Sequence, residues 1–413
     1  MQYLSQSLSA DAPADPAVPW GRHTLLAVCP TSEAVTRAAL AAAQRAQAPL
    51  LFAATLNQVD CDGGYTGWTP HDFAAFVDQE ADRIGVDVPV VLGLDHGGPW
   101  KKDVHAQQDL DYAATMEAVK TSLEACIDAG YELLHLDPTE DRRLPEGQPV
   151  PIGDIVDRTV ALMRYAESVR QDRGRGPIAY EVGTEEVGGG LQSEERFSAF
   201  LRLLSDTLSA DDLPAPVFVV GDVGTKLDTA HFNAVRARTL TAEAQSQMGA
   251  LLKGHYTDDV DALEAYPLSG MGGANVGPGL AAVERDALRE LVDLEGQVLR
   301  DPSQRSGFPR ALRDAVVSSG RWRKWLRPEE EGAPFRALSA DRQQWLVGTG
   351  SRYVWTDPAV EAARADLYAN ISPYRDADAF VQWRLETEIT RYLHAFNLIG
   401  LAPQLETWME GGL

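Results

Sequence analysis

The 413-residue chain carries 61 acidic against 37 basic residues, a formal charge of -24, and is 44% hydrophobic. That balance leaves no basic patch to neutralise phosphates and so excludes nucleic acid as a partner; no run approaches the roughly 18 apolar residues of a membrane span. Cys29, Cys61 and Cys126 are odd in number and scattered, which offers no disulfide framework or zinc knuckle and fits a reducing cytoplasm.

Residues 1–22 are polar and Pro-rich, with neither the basic start nor the apolar stretch of a signal peptide, and read as a loose leader. Leu25–Pro30 is a short apolar strand, and Thr31-Ser32 then caps an Ala-rich helix reaching Ala48. Pro49–Thr55 is a second strand, which opens into Asn57-Gln58 and a Gly-rich loop. Thr69-Pro70 starts the next helix, with Thr at the cap and Pro at the first helical position. The third strand, Val88–Leu94, is a Val/Leu run ending abruptly in Asp95-His96-Gly97-Gly98. Further strands are expected at Tyr131–Pro138, Ile178–Gly183, Val217–Asp222, Ala250–Tyr256 and Gly270–Pro278, with helices near 109–129, 155–171 and 194–208 between them.

Eight short apolar strands, most of them separated by helical patterns, spell a (β/α)8 barrel over residues 23–290. An open doubly wound sheet would use five or six strands and a Gly-rich phosphate turn after the first, which is absent. Residues 291–413 have no strand-like run. They read as a helical extension packed on the barrel, with Trp322, Trp325, Trp345, Tyr353, Trp355, Trp383 and Trp408 as core or subunit contacts.

In such a barrel the residues at strand C-termini face the substrate. Here these are Asn57, Asp95, His96, His135, Asp137, Glu181, Glu185, Asp222 and His255. Asp95 supplies a proton-transfer group. His96 and His255, with a carboxylate, suit a divalent transition metal with an open coordination position; Glu181 is the preferred third ligand, and Glu185 and Asp222 are alternatives. His135 alternates with Leu134 and Leu136 and reads as a hydrogen-bonded interior histidine.

Several of these residues sit in a recognisable context. Asn57-Gln58-Val59, Gly63-Gly64-Tyr65-Thr66-Gly67, Thr69-Pro70, Asp95-His96, Gly98-Pro99, His135-Leu136-Asp137, Gly183-Thr184-Glu185, His255 with Thr257-Asp258, Val276-Gly277-Pro278, Ser351-Arg352-Tyr353 and Trp355 resemble the large, so-called non-catalytic subunit of class II D-tagatose-bisphosphate aldolase, also labelled tagatose-6-phosphate kinase. The resemblance implies a class II aldolase barrel. It makes Asp95 the acid serving the aldehyde oxygen and His96 and His255 ligands to zinc, with manganese or cobalt as other candidates. It also implies a third histidine at the end of the sixth strand, where this chain has Gly221-Asp222-Val223-Gly224, and a lysine where it has Asn275. No G-x-x-x-x-G-K-[ST] loop supports a kinase.

Class II aldol chemistry needs a metal to polarise a ketose carbonyl and a group to move the hydroxyl proton. The expected roles are metal binding by His96, His255 and Glu181, proton transfer by Asp95 with Glu185 in reserve, and sugar contacts from Asn57, Gln58, Tyr65, Asp137, Asp222 and Asn275. The amides of Gly270, Gly272 and Gly273 would cradle an anion. Three activities share these residues: an aldolase acting on a ketohexose or its phosphate, a stand-alone ketose C4 epimerase, and a silent partner stabilising a smaller aldolase subunit. A homo-oligomer is expected.

Overall fold

A computed structural model describes residues 23–145, 147–183, 193–226, 231–258 and 260–405. Its chain order is β1 (Leu25–Val28), α1 (Glu33–Ala46), β2 (Leu50–Thr55), α2 (Pro70–Ile84), β3 (Val90–Gly97), α3 (Asp103–Gln107), α4 (Tyr112–Asp128), β4 (Leu133–Leu136), α5 (Ile152–Asp172), β5 (Ala179–Val182), α6 (Glu194–Ala210), β6 (Phe218–Val220), α7 (Ala234–Met248), β7 (Leu251–Gly254), α8 (Ala265–Leu268), β8 (Gly273–Val276) and α9 (Pro278–Val298). All eight strands pair in parallel with their sequence neighbours, and β1 closes on β8 with Leu25 opposite Gly273. This is the (β/α)8 barrel that the spacing implies.

The local chemistry accounts for the elements. The strands are short Val/Leu/Ala/Phe runs buried almost throughout, as parallel strands between a barrel core and a helical jacket must be. Ser32 Oγ accepts the Val35 N–H at the start of α1, and Thr69 and Asp72 form a reciprocal capping box at α2 with Pro70 at its first position. Left-handed Gly85 and Gly249 end α2 and α7.

Beyond β8 there are only helices among the described residues: α9 runs through residue 290 without a break, then α10 (Phe308–Ser319), α11 (Ala340–Gly350), α12 (Pro358–Ile371) and α13 (Ala377–Ala395), joined by short 3-10 turns. Helix α13 packs against α1 and α9, and its exit is tied to the barrel by Thr24 N–H to Phe396 O (3.1 Å) and Gly400 N–H to Ala46 O (2.9 Å). Trp322 and Trp355 are core residues, whereas Trp383 is 57% exposed; Trp408 lies outside the described residues. No helix among those described is long and apolar enough to cross a membrane.

Candidate functional site

The C-terminal ends of the strands surround a cavity of about 380 Å³, which has Asp95, His96, His255 and Asn275 at its base and Asn57, Gln58 and Tyr65 on one wall. That volume suits a small ligand. Its base is built by alternation, because every second residue of a barrel strand points inward. On β4 the inward residue is His135, which lies opposite Glu181 of β5 in register. On β7 the inward Lys253 is followed two residues later by His255.

These side chains form one buried network. Glu181 Oε2 accepts from Lys253 Nζ at 2.6 Å, and its Oε1 lies 3.2 Å from His255 Nε2. Asp95 accepts from Asn275 Nδ2 at 3.1 Å through Oδ2, while its Oδ1 lies 2.9 Å from His135 Nδ1. Ligand atoms of Asp95, His135, Glu181 and His255 all fall within 4.8 Å of one another. The rings of His96, His135 and His255 pack mutually, with centroids 4.7 to 5.5 Å apart. Two imidazoles and two carboxylates in one pocket, with a third imidazole above, are the donor chemistry of a divalent transition-metal site. One contact fits a cation in particular. His135 Nε2 donates to the Gly183 carbonyl at 2.7 Å, so its proton is on Nε2. The Nδ1 lone pair that receives the His96 N–H at 3.1 Å then also faces Asp95 Oδ1, a repulsion that a proton or metal ion between them relieves.

Electrostatics follow from burial and pairing. Burial works against ionised Asp95, but His96 and His255 together with the His135 bond hold its carboxyl well below the usual range. Burial likewise opposes charge on Glu181, yet Lys253 and the flanking histidines bring it down to about 2. His135 is raised: burial disfavours its charged form, and Glu181 and Asp95 outweigh that.

The β3 lip is held by close backbone approach. A Cβ on Gly98 would sit 1.9 Å from the Asp137 carbonyl oxygen, and one on Gly97 2.8 Å from that of His135. His96 itself has φ +51, unusual for a residue with a side chain. Its ring is fixed by Nδ1 contacting Asp137 Oδ2 at 2.6 Å, which leaves Nε2 3.8 Å from Asp95 Oδ2. A carboxylate behind an imidazole sets its tautomer and orientation.

Several expected roles need correction. Asp137 is fully buried and takes His96, Lys101 (3.0 Å) and Thr139 (2.5 Å), so it orients His96 and does not face a sugar. Asp222 lies two residues beyond β6; its carboxylate accepts from Gly224 N–H and faces Arg236 of α7 at 3.5 Å, away from the network. Gly272 and Gly273 fall at the N-terminal end of β8, opposite the cavity. The Gly272 N–H is spent on Leu252 O (2.8 Å), and glycine is needed there because Leu251 and Lys253 press in: a Cβ would meet Leu251 Cβ at 2.5 Å and Lys253 Cγ at 3.2 Å. The Gly270 N–H is likewise engaged, with Pro267 O (2.9 Å). Glu185 lies outside the described residues. The third imidazole comes from β4, not β6; the Leu-His-Leu alternation that marks an interior histidine also marks one aimed at the barrel axis. The C-terminal segment is not only core and contact surface, since Lys324, Trp325, Arg352 and Tyr353 line the cavity. Tyr353 meets Tyr65 edge-to-face at 5.1 Å.

Comparison with known proteins agrees with this architecture. A family model described as D-tagatose-1,6-bisphosphate aldolase subunit GatZ/KbaZ-like matches residues 20–203. A solved structure from Sinorhizobium meliloti 1021, named a probable tagatose 6 phosphate kinase, is similar with a TM-score of 0.68 at 25% identity, covering 90% of this chain and 100% of that one. Fructose-bisphosphate aldolase from Campylobacter jejuni, 11% identical with a TM-score of 0.51 and covering 91% of each chain, shares the fold. The likeness carried by the Asn-Gln-Val, Asp-His and His-Leu-Asp motifs is thus borne out, and over residues 20–203 this chain is similar to the GatZ/KbaZ-like subunits of D-tagatose-1,6-bisphosphate aldolase.

Proposed function

We propose that this chain performs metal-assisted aldol and retro-aldol chemistry on a ketohexose or its phosphate. The observation that carries the reading is the buried set Asp95, His135, Glu181 and His255, of which Asp95 and His255 line a sugar-sized cavity. His96, His135, His255 and Glu181 are the residues that would hold a divalent metal, zinc being the first candidate and manganese or cobalt the others. The chemistry such an ion would supply there is Lewis-acid polarisation of a ketose carbonyl.

The chain's own residues supply the rest. Asp95, ionised and pinned by Asn275, takes the proton of the hydroxyl that becomes the aldehyde oxygen and returns it on re-addition. Asp137 keeps the His96 ring in place throughout. Asn57 braces the wall, with Nδ2 donating to Lys101 O at 3.0 Å and Oδ1 accepting from Asp103 N–H at 2.9 Å. Tyr65, with Gln58 beside it, presents its ring to the sugar. If the aldehyde turns before re-addition, the same groups epimerise C4, so cleavage and epimerisation are two outcomes of one site.

A second reading, a silent partner of a smaller aldolase subunit, is favoured by Lys253. Its ammonium already neutralises one oxygen of Glu181, and the matching family is described as an aldolase subunit. The experiment that separates them is metal analysis of the purified protein beside a His135→Ala/His255→Ala variant, followed by ketose cleavage and epimerisation assays with and without a smaller subunit. About one equivalent of metal in the parent, lost in the variant, is expected. No metal after soaking in zinc, manganese or cobalt, with activity only on adding the partner, would establish the silent role instead.

A further inference from the structure

We propose that the groove between α9, α10 and α11 is a binding site for a medium-chain fatty acid, an apolar chain that ends in one carboxylate. The groove shares no residue with the barrel cavity, so the proposal stands apart from the ketose reading.

Three helix faces build it, each at helical spacing. On α9 the residues Glu284, Leu288, Leu291 and Glu295 are buried, and Arg285, Arg289 and Val292, at i, i+4 and i+7, share the adjoining stripe. Phe308 and Leu312 of α10, one turn apart, are 2% and 3% exposed; with Val292 and with Val347 of α11 they make an apolar floor. The space above that floor is about 570 Å³, the scale of a small-molecule site.

Charge is the second observation. Arg285, Arg289 and Arg313 line the groove, and among the described residues no aspartate or glutamate does. Two aspartates stand behind these cations. Asp286 Oδ1 lies 3.0 Å from Arg285 and 3.8 Å from Arg289, while Asp314 is shared by Arg310 at 3.5 Å and Arg313 at 3.9 Å. Four arginines against two aspartates leave a local positive excess in a chain whose formal charge is -24. Arg285 is the least exposed of the four. Its Nε is buried and makes no hydrogen bond among the described residues, and burial weighs against its charge with only Asp286 to offset it. Gly348 of α11 makes room for it: a Cβ there would sit 3.1 Å from the guanidinium carbon.

A carboxylate answers the excess, because its two oxygens match the planar guanidinium fork. An acyl chain answers the floor, by taking Phe, Leu and Val surface out of water. One molecule that carries both is a fatty acid. Helix α11 runs directly into the turn Ser351–Tyr353, whose Arg352 and Tyr353 line the barrel cavity, so the occupant lies against the helix that places part of that wall.

The test is calorimetric titration of the intact protein with decanoate below its micelle concentration, beside decanol and acetate. It is repeated for Arg289→Gln/Arg313→Gln, which removes charge from side chains about half exposed (52% and 55%), and for Ala340→Trp, which fills the groove from its rim. The parent should bind about one equivalent of decanoate, about tenfold to a hundredfold more tightly than decanol and far more tightly than acetate. The arginine variant should lose about tenfold in decanoate affinity while keeping that for decanol, and Ala340→Trp should weaken both. Unchanged thermal unfolding checks that each variant is folded. No decanoate binding by the parent overturns the proposal, as does equal affinity for decanoate and decanol, or for decanoate and acetate. Binding that neither variant changes lies elsewhere on the molecule and overturns it too. A parent dimer that Ala340→Trp turns into a monomer, with no decanoate bound, would make the occupant a second copy of this chain and overturn the fatty-acid site.

Discussion

Two buried cations lie in different parts of the molecule: Lys253 beneath the cavity, against Glu181, and Arg352 on the cavity wall. Lys253, on a barrel strand, is closed by Glu181 at 2.6 Å with neither side chain exposed. Arg352, on the appended helices, has hydroxyls and aromatic faces around it and, among the described residues, no carboxylate partner. A cation that its own chain neutralises holds the fold together. One held only by hydroxyls and rings has its charge compensated in part.

The most damaging way to break that comparison is to open the closed pair. Lys253→Met leaves Glu181 ionised in a dry interior and should cost about 3–5 kcal/mol, read as a lower urea midpoint; Lys253→Met/Glu181→Leu should recover most of it. A single variant as stable as the parent would show that Glu181 draws its compensation elsewhere. Acid does the same more gently. Glu181 is held at about 2 against an ordinary 4.5, so its stabilisation is complete above pH 4.5 and is lost as pH falls toward 2. Asp95, also depressed, adds in the same direction. His135 is raised above 6.5, so its share is present below that pH and fades as pH rises through its folded value. Unfolding midpoints across pH 2–9 should therefore fall on the acid side in the parent, and less steeply in the double variant. The mildest change is at the other cation: Arg352→Met removes a charge with no carboxylate partner among the described residues and should leave stability unchanged or raised by about 1 kcal/mol, checked by thermal unfolding. A loss comparable to that of Lys253→Met would mean that Arg352 is a structural cation after all.

Most of the barrel was legible because parallel strands buried on both faces leave continuous apolar runs, and because Ser32, Thr69-Pro70 and Gly249 punctuate helices with chemistry that works locally. Asp95 and His96 were legible too, as polar residues that interrupt such a run at its end. What escaped depends on one-residue geometry or on distant contacts. Two residues past β6, Asp222 has already turned toward α7. Gly272 and Gly273 look like a phosphate loop in one dimension but lie at the wrong end of their strand, pressed by Leu251 and Lys253. Asp137 resembles a sugar ligand until Lys101, Thr139 and His96 are seen to surround it. The placing of Tyr353 on Tyr65, residues far apart in sequence, has no local signature at all.

The cavity draws on Asn57 at one extreme and Tyr353 at the other, and this has a consequence for biosynthesis. Domains form N-terminal first as the ribosome delivers roughly 5–20 residues per second. Between the emergence of Asp95 and that of Arg352, on the order of ten to fifty seconds therefore pass. From its own emergence to that of Lys253, Glu181 waits without its ammonium partner, and until Arg352 and Tyr353 arrive the cavity lacks that part of its wall. The cavity wall is complete only once the turn that carries Arg352 and Tyr353 has settled.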